Sequence, residues 1–180
     1  MRQIRRGVFE TNSSSSHSIS FASKLNGCDY SQLKPDSEGF IWCYLEEFGW
    51  GYYGDYPLNS AILKLDYLVT QIYCQLYIED GEDFKEEIMN SRDFKMLEED
   101  VVTTLKENGI VAEGIKIAAD GTSRVDHQSV CPIRDILPES CETYSDFIFN
   151  PAYSLIITDD SYSPSDFISD DETFVKEIGW

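Results

Sequence analysis

The chain has 180 residues, of which 42% are hydrophobic and 13% aromatic; that is enough for one sizeable core and too apolar for wholesale disorder. Fourteen Lys/Arg against 33 Asp/Glu give a net charge of −19, a field that repels free nucleic acid and anionic membrane and suits a basic protein partner. Five cysteines without a CxxC pair exclude a zinc ribbon and argue against a disulfide framework, and no run of about 18 apolar residues is present to span a membrane.

The basic opening Met1–Arg6 is followed by no apolar stretch, so a bacterial cytoplasmic setting with mostly buried thiols is expected. The charge is uneven: residues 1–34 carry +3 and residues 134–180 carry −9. One acidic α+β domain over 1–180 is expected, with a polar motif segment at 1–17 and an acidic part at 134–180. Its expected architecture is a mainly antiparallel sheet with two to four helices packed on it.

In chain order, the alternation Ser18-Ile19-Ser20-Phe21-Ala22 predicts a short strand. Residues 23–37 read as a loop, with turns at Asn26-Gly27 and Pro35-Asp36-Ser37. The apolar run Phe40 to Leu45 predicts a buried strand, and the Gly/aromatic stretch 46–54 a bent loop. Ala61 to Tyr77 has apolar residues at helical spacing (Ile62, Leu65, Leu68 or Val69, Ile72, Leu76) and predicts a helix with that stripe facing the core. A second helix is expected near Asp83–Asn90. A third is expected to be capped by Ser91 or Asp93, to run through Leu97, Val101 and Leu105, and to stop at Asn108-Gly109.

Ile110 to Ala118 alternates and predicts a strand, paired through the turn Asp120-Gly121 with a hairpin partner at 124–130. Residues 132–142 read as a loop or short turn. Phe147–Phe149 and Tyr153–Thr158 supply further strand material, and a short helix is expected near Asp171–Ile178.

The only two histidines are His17 and His127. His17 follows Asn12 and the run Ser13, Ser14, Ser15, Ser16; His127 sits between Asp126 and Gln128. Two histidines with nearby arginines make a general acid–base pair suited to phosphodiester chemistry. One takes a proton from the nucleophile and the other protonates the leaving oxygen, while Arg5 or Arg6 stabilises the phosphoryl oxygens. RNA brings its own 2′-hydroxyl nucleophile, so no metal and no cofactor is required. Glu10 and Asp126 are the carboxylates near this pair. Their combination with the histidines as a metal site has no ligand spacing behind it. A serine nucleophile among Ser13 to Ser16 ranks lower, because sequence neighbours seldom meet triad geometry. The opposing reading is structural: Ser/Asn runs commonly bond the local backbone in turns. Trp50, in Phe48-Gly49-Trp50-Gly51, is a candidate contact aromatic. Asp159, Asp160, Asp170 and Asp171 are candidate contacts for a basic surface.

The string Arg5-Arg6-Gly7-Val8-Phe9-Glu10-Thr11-Asn12-Ser13-Ser14-Ser15-Ser16-His17-Ser18 resembles the opening of small proteins carried by phages and mobile elements of Gram-positive bacteria. The strings Leu45–Gly51, Lys64–Leu68, Val125–Ser129 and Phe147–Pro151 look like the same family. Size, acidity and that origin resemble type II anti-CRISPR proteins, which block Cas9. The resemblance implies counter-defence, with Cas9 and its guide RNA as partner. Two readings stand side by side: a stoichiometric inhibitor that occupies a basic surface, and an enzyme that cleaves RNA or another phosphodiester through His17 and His127. A docked protein that truncates the guide joins them.

Overall fold

The computed structural model describes residues 15–25, 27–48, 58–76, 84–118, 130–159 and 172–178. The strands are β1 (Ser15–Ala22), β2 (Phe40–Cys43), β3 (Gly114–Ile117), β4 (Tyr153–Asp159) and β5 (Glu172–Ile178). The helices are α1 (Ala61–Leu76), α2 (Phe84–Asn90), α3 (Arg92–Glu107), α4 (Ile133–Ile136) and α5 (Tyr144–Phe149). The fold is α+β, as composition and pattern lead one to expect. Among the described residues no helix is long and apolar enough to cross a membrane.

β1 is the middle strand of an antiparallel sheet ordered β4-β1-β5. Its register places His17 opposite Ile157 of β4 and Ile178 of β5, and Ser18 opposite Ile156. A bulge between Ile19 and Ser20 shifts the pairing with β5. Because side chains alternate, His17 and Ile19 share one face, while Ser18 and Ser20 share the other. Both faces are covered: Ile19, Leu155 and Ile157 are buried on one, and Ser18, Ser20, Ser154, Ile156 and Thr158 on the other. Leu58 closes the outer side of β4 by exchanging backbone hydrogen bonds with Leu155 (2.7 and 2.9 Å).

α1 is the hub. It packs on each of the other four helices and on β2. The expected single apolar stripe is corrected here. Residues 64–72 are buried without interruption, whereas Ile62 is half-buried and Leu76 is exposed. A helix enclosed on all sides needs no polar face. Its polar side chains are instead consumed inside the protein, as set out below.

Four other expectations are corrected. Phe147–Phe149 is helix, not strand. The Thr143 hydroxyl accepts the Asp146 amide (3.0 Å) and the Asp146 carboxylate accepts the Thr143 amide (3.1 Å), a reciprocal cap that starts α5. The segment near 171–178 is strand, because it supplies β1 with a second partner. A short helix, α4, lies in the segment read as loop or short turn at 132–142. The fourth correction concerns β3, which is shorter than expected and pairs in parallel with β2, Trp42 lying opposite Lys116. The proposed turn at 120–121 and residues 124–129 of its hairpin partner lie outside the described residues. α3 matches its expected start and stop, with the Ser91 hydroxyl accepting the Phe94 amide (3.2 Å) and Gly109 at φ +80° beyond the last turn.

Candidate functional site

His17 is placed by β1, which lies between β4 and β5, and its side chain is fully buried. Its Nδ1 lies 2.8 Å from the Tyr67 hydroxyl on α1. That hydroxyl also accepts from Gln71 Nε2 at 2.8 Å, and Gln71 Oε1 in turn accepts the Cys131 amide at 3.2 Å. Phe48 packs edge-on against the Tyr67 ring, 5.0 Å between centroids. Burial holds the Tyr67 phenol well above its ordinary range, so it keeps its proton. The phenol oxygen thus bridges Gln71 and His17, and the tautomer of the imidazole sets which of Nδ1 and the hydroxyl donates in their bond.

A second buried group lies one turn into α1. Lys64 is fully buried, and its ammonium donates to the carbonyls of Phe147 (2.8 Å), Asn150 (2.8 Å) and Tyr153 (3.0 Å). It thus satisfies the end of α5 and the start of β4 at once. The Phe147 ring lies 5.3 Å from the same nitrogen. Burial pushes the lysine pKa down, to about 7, with Cys141 and Cys28 pulling the other way.

Asp66 and Thr70 do the same for the chain after β2. Asp66 Oδ1 accepts the Tyr44 amide (2.8 Å) and Thr70 Oγ1 accepts the Glu46 amide (3.2 Å). Burial pushes the Asp66 carboxyl up, to about 7, with the Tyr44 amide pulling the other way. A carboxyl whose folded pKa exceeds its unfolded 3.8 contributes stability below pH 4 that is lost as pH rises through about 7. Asp66→Asn retains an oxygen for Tyr44 and removes the buried charge. In urea titrations at pH 8 the variant is expected to exceed the wild type by about 1–3 kcal/mol, with the advantage gone at pH 4. A variant less stable than wild type at pH 8 refutes the assignment.

Of the residues that sequence reasoning singled out, the structure places His17 in the core and the backbones of Ser15, Ser16 and Asp159 in the sheet, Ser15 opposite Asp159 and Ser16 opposite Thr158. Arg5, Arg6, Glu10, Asn12, Ser13, Ser14, Trp50, Asp126, His127, Gln128, Asp160, Asp170 and Asp171 lie outside the described residues. Sequence reasoning did not single out the second sheet face, where the Ser18, Ser20 and Thr158 hydroxyls are buried with no hydrogen-bond partner among the described residues. Its signal was the serine at every second position, 16, 18 and 20. Lys64 and Tyr67 lie in one of the strings that carry the resemblance but were not read as site residues, and neither was Gln71. The thiols of Cys43 and Cys141 are buried, and burial pushes both up, that of Cys141 to about 11, which keeps them unreactive. Cys28, Cys74 and Cys131 are half-buried.

Compared with known proteins, the chain matches no protein family, no curated protein and no solved structure.

Proposed function

We propose that the chain is a stoichiometric binding inhibitor of a basic nucleic-acid-handling protein, with Cas9 carrying its guide RNA as the effector, acting as counter-defence for a phage or mobile element. The observation that carries binding over catalysis is the position of His17. A general acid or base has to reach the proton it transfers, to within about 3 Å. His17 is sealed in the core with Nδ1 committed to Tyr67 (2.8 Å), which supports a structural role for the end of the polar motif. The charge of −19 supports the class of partner, since Cas9 holds its heteroduplex in a positively charged channel. Size, acidity and the resemblance of the opening string to proteins of phages and mobile elements support the choice of Cas9.

The test incubates the full chain with a Cas9–guide complex, then runs a DNA-cleavage assay and a denaturing gel of the guide on the same samples. Blocked cleavage, a full-length guide and no change in His127→Ala are expected, with inhibition weakening as salt rises. A shortened guide that depends on His127 overturns the binding reading in favour of the phosphodiesterase. Unimpeded DNA cleavage overturns the choice of effector.

A further inference from the structure

Parallel sheets are ordinarily covered on both faces. Among the described residues, the β2–β3 sheet is covered on one. Ile41, Cys43 and Leu45 point into the core, while Phe40, Trp42 and Tyr44 alternate onto the other side. Trp42 is 41% exposed and Tyr44 45%, so the strand expected to be buried presents an aromatic row to solvent. The row is held rigid. Asp36 Oδ1 accepts the amides of Glu38 (2.8 Å) and Phe40 (2.9 Å), and Oδ2 accepts the Trp42 indole N–H at 2.7 Å. Gly39 turns the chain at φ +90°, where a Cβ would come 2.7 Å from Glu113 Cγ.

The row already holds a cation. Lys116 Nζ sits 3.7 Å from the centre of the Phe40 ring and 5.6 Å from that of Trp42, and pairs with Glu38 at 3.1 Å. An aromatic face beside a carboxylate is therefore a working cation seat at one end of the row. At the other end, Trp42 and Tyr44, the latter one residue past the end of β2, are both exposed, and two residues of extended chain span about 7 Å. That interval admits one planar group between two rings.

We propose that this face is a docking surface for a basic protein partner, in which an arginine of the partner stacks on Trp42 and Tyr44 as Lys116 stacks on Phe40. Arginine fits better than lysine, because its guanidinium is planar, stacks on rings and pairs with carboxylates in the same pose. A nucleic-acid strand also stacks on aromatic rows, but its phosphates meet the chain's charge of −19. The inference rests on the reading of the chain as a binder of a basic partner and names the surface that does the binding.

The experiment is fluorescence anisotropy of a labelled octa-arginine peptide titrated with the full chain at 150 mM salt, in an assay without Cas9, so that failure of the effector assignment leaves its result readable. Trp42→Ala and Tyr44→Ala are each expected to weaken binding at least tenfold. The doubly substituted Glu99→Gln/Glu107→Gln chain, altered at exposed carboxylates of α3, is expected to weaken it less than threefold. Tyr44 is the safer variant for folding, and quenching of tryptophan emission by the peptide in a Trp50→Phe/Trp180→Phe background reports on Trp42 without altering it. Equal weakening by the aromatic and the control variants overturns the proposal in favour of diffuse charge. Absence of peptide binding overturns it, and so does tighter binding of a single-stranded RNA oligonucleotide that Tyr44→Ala abolishes.

Discussion

Lys64→Met is expected to cost about 3–5 kcal/mol at pH 6, a fall in Tm of roughly 6–20 °C for a chain of this size. Methionine replaces the aliphatic stem with little change in volume, so the apolar packing stays and the three hydrogen bonds go. The carbonyls of Phe147, Asn150 and Tyr153 then face a thioether methyl in the interior. Each hydrogen bond to a charged donor contributes about 1.5–3 kcal/mol, against which the variant recovers the several kcal/mol of burying an ammonium. At pH 6 the side chain lies below its depressed pKa of about 7 and carries all three protons. Between about 7 and 10.5 the unfolded lysine binds a proton that the folded one has released, so wild-type stability rises with pH in that window. The gap to the methionine variant is therefore expected to widen above pH 7. Urea titrations at pH 6 and pH 9 measure both effects. A variant within 1 kcal/mol of wild type at both values shows that the three carbonyls find other partners and that α1 is not held through Lys64.

The sequence was most readable where a local pattern and the tertiary environment agreed. β1, β4 and α3 have alternation or caps that the structure uses directly. It was least readable where a distant partner decides. Phe147–Phe149 is an apolar run too short for its period to show, and the distinguishing signal was Thr143 three residues before Asp146. Glu172–Ile178 spaces Phe174, Val175 and Ile178 as a helix would, but the free side of β1 claims it. The parallel pairing of residues 40–43 with 114–117 joins segments separated by three helices, and nothing local encodes it. The polar residues of α1 show the same limit from another side. Lys64 and Gln71 lie on one side of α1 and Asp66 and Thr70 on the opposite side, and each satisfies a backbone group of a neighbouring segment. A helix that caps its neighbours in this way cannot be told from an exposed one by composition alone.

For the candidate site, the string ending in His17 was legible as unusual, but its partner was not. Three of the strings that carry the resemblance meet around α1. Phe48 from the first packs on Tyr67, and Lys64, beside Tyr67 in the second, bonds Phe147 and Asn150 of the third. Their unusual residues are thus tied to one another by packing and hydrogen bonding, which gives those strings a structural reason to occur together.

Tyr67→Phe is the sharpest probe of that arrangement. It is expected to cost about 2–4 kcal/mol, because one oxygen is removed from two buried hydrogen bonds, to His17 Nδ1 and Gln71 Nε2, both at 2.8 Å. The ring stays, and with it the contact to Phe48, so no cavity term enters. Tyr153→Phe is the matched control. Its hydroxyl bonds Ser140 at 2.6 Å, but Ser140 is exposed and water replaces the lost partner, so a loss under about 1 kcal/mol is expected. Urea titrations with unchanged m-values give both numbers. Nitrogen NMR of the His17 ring separates a packing role from a hydrogen-bonding one. The ring tautomer is read directly from the two nitrogen resonances, and Tyr67→Phe is expected to shift that of Nδ1, the atom that meets the hydroxyl. Equal losses for the two variants, with an unmoved Nδ1 signal, exclude the His17–Tyr67 bond as the anchor of the polar motif and reopen His17 as a group available for chemistry.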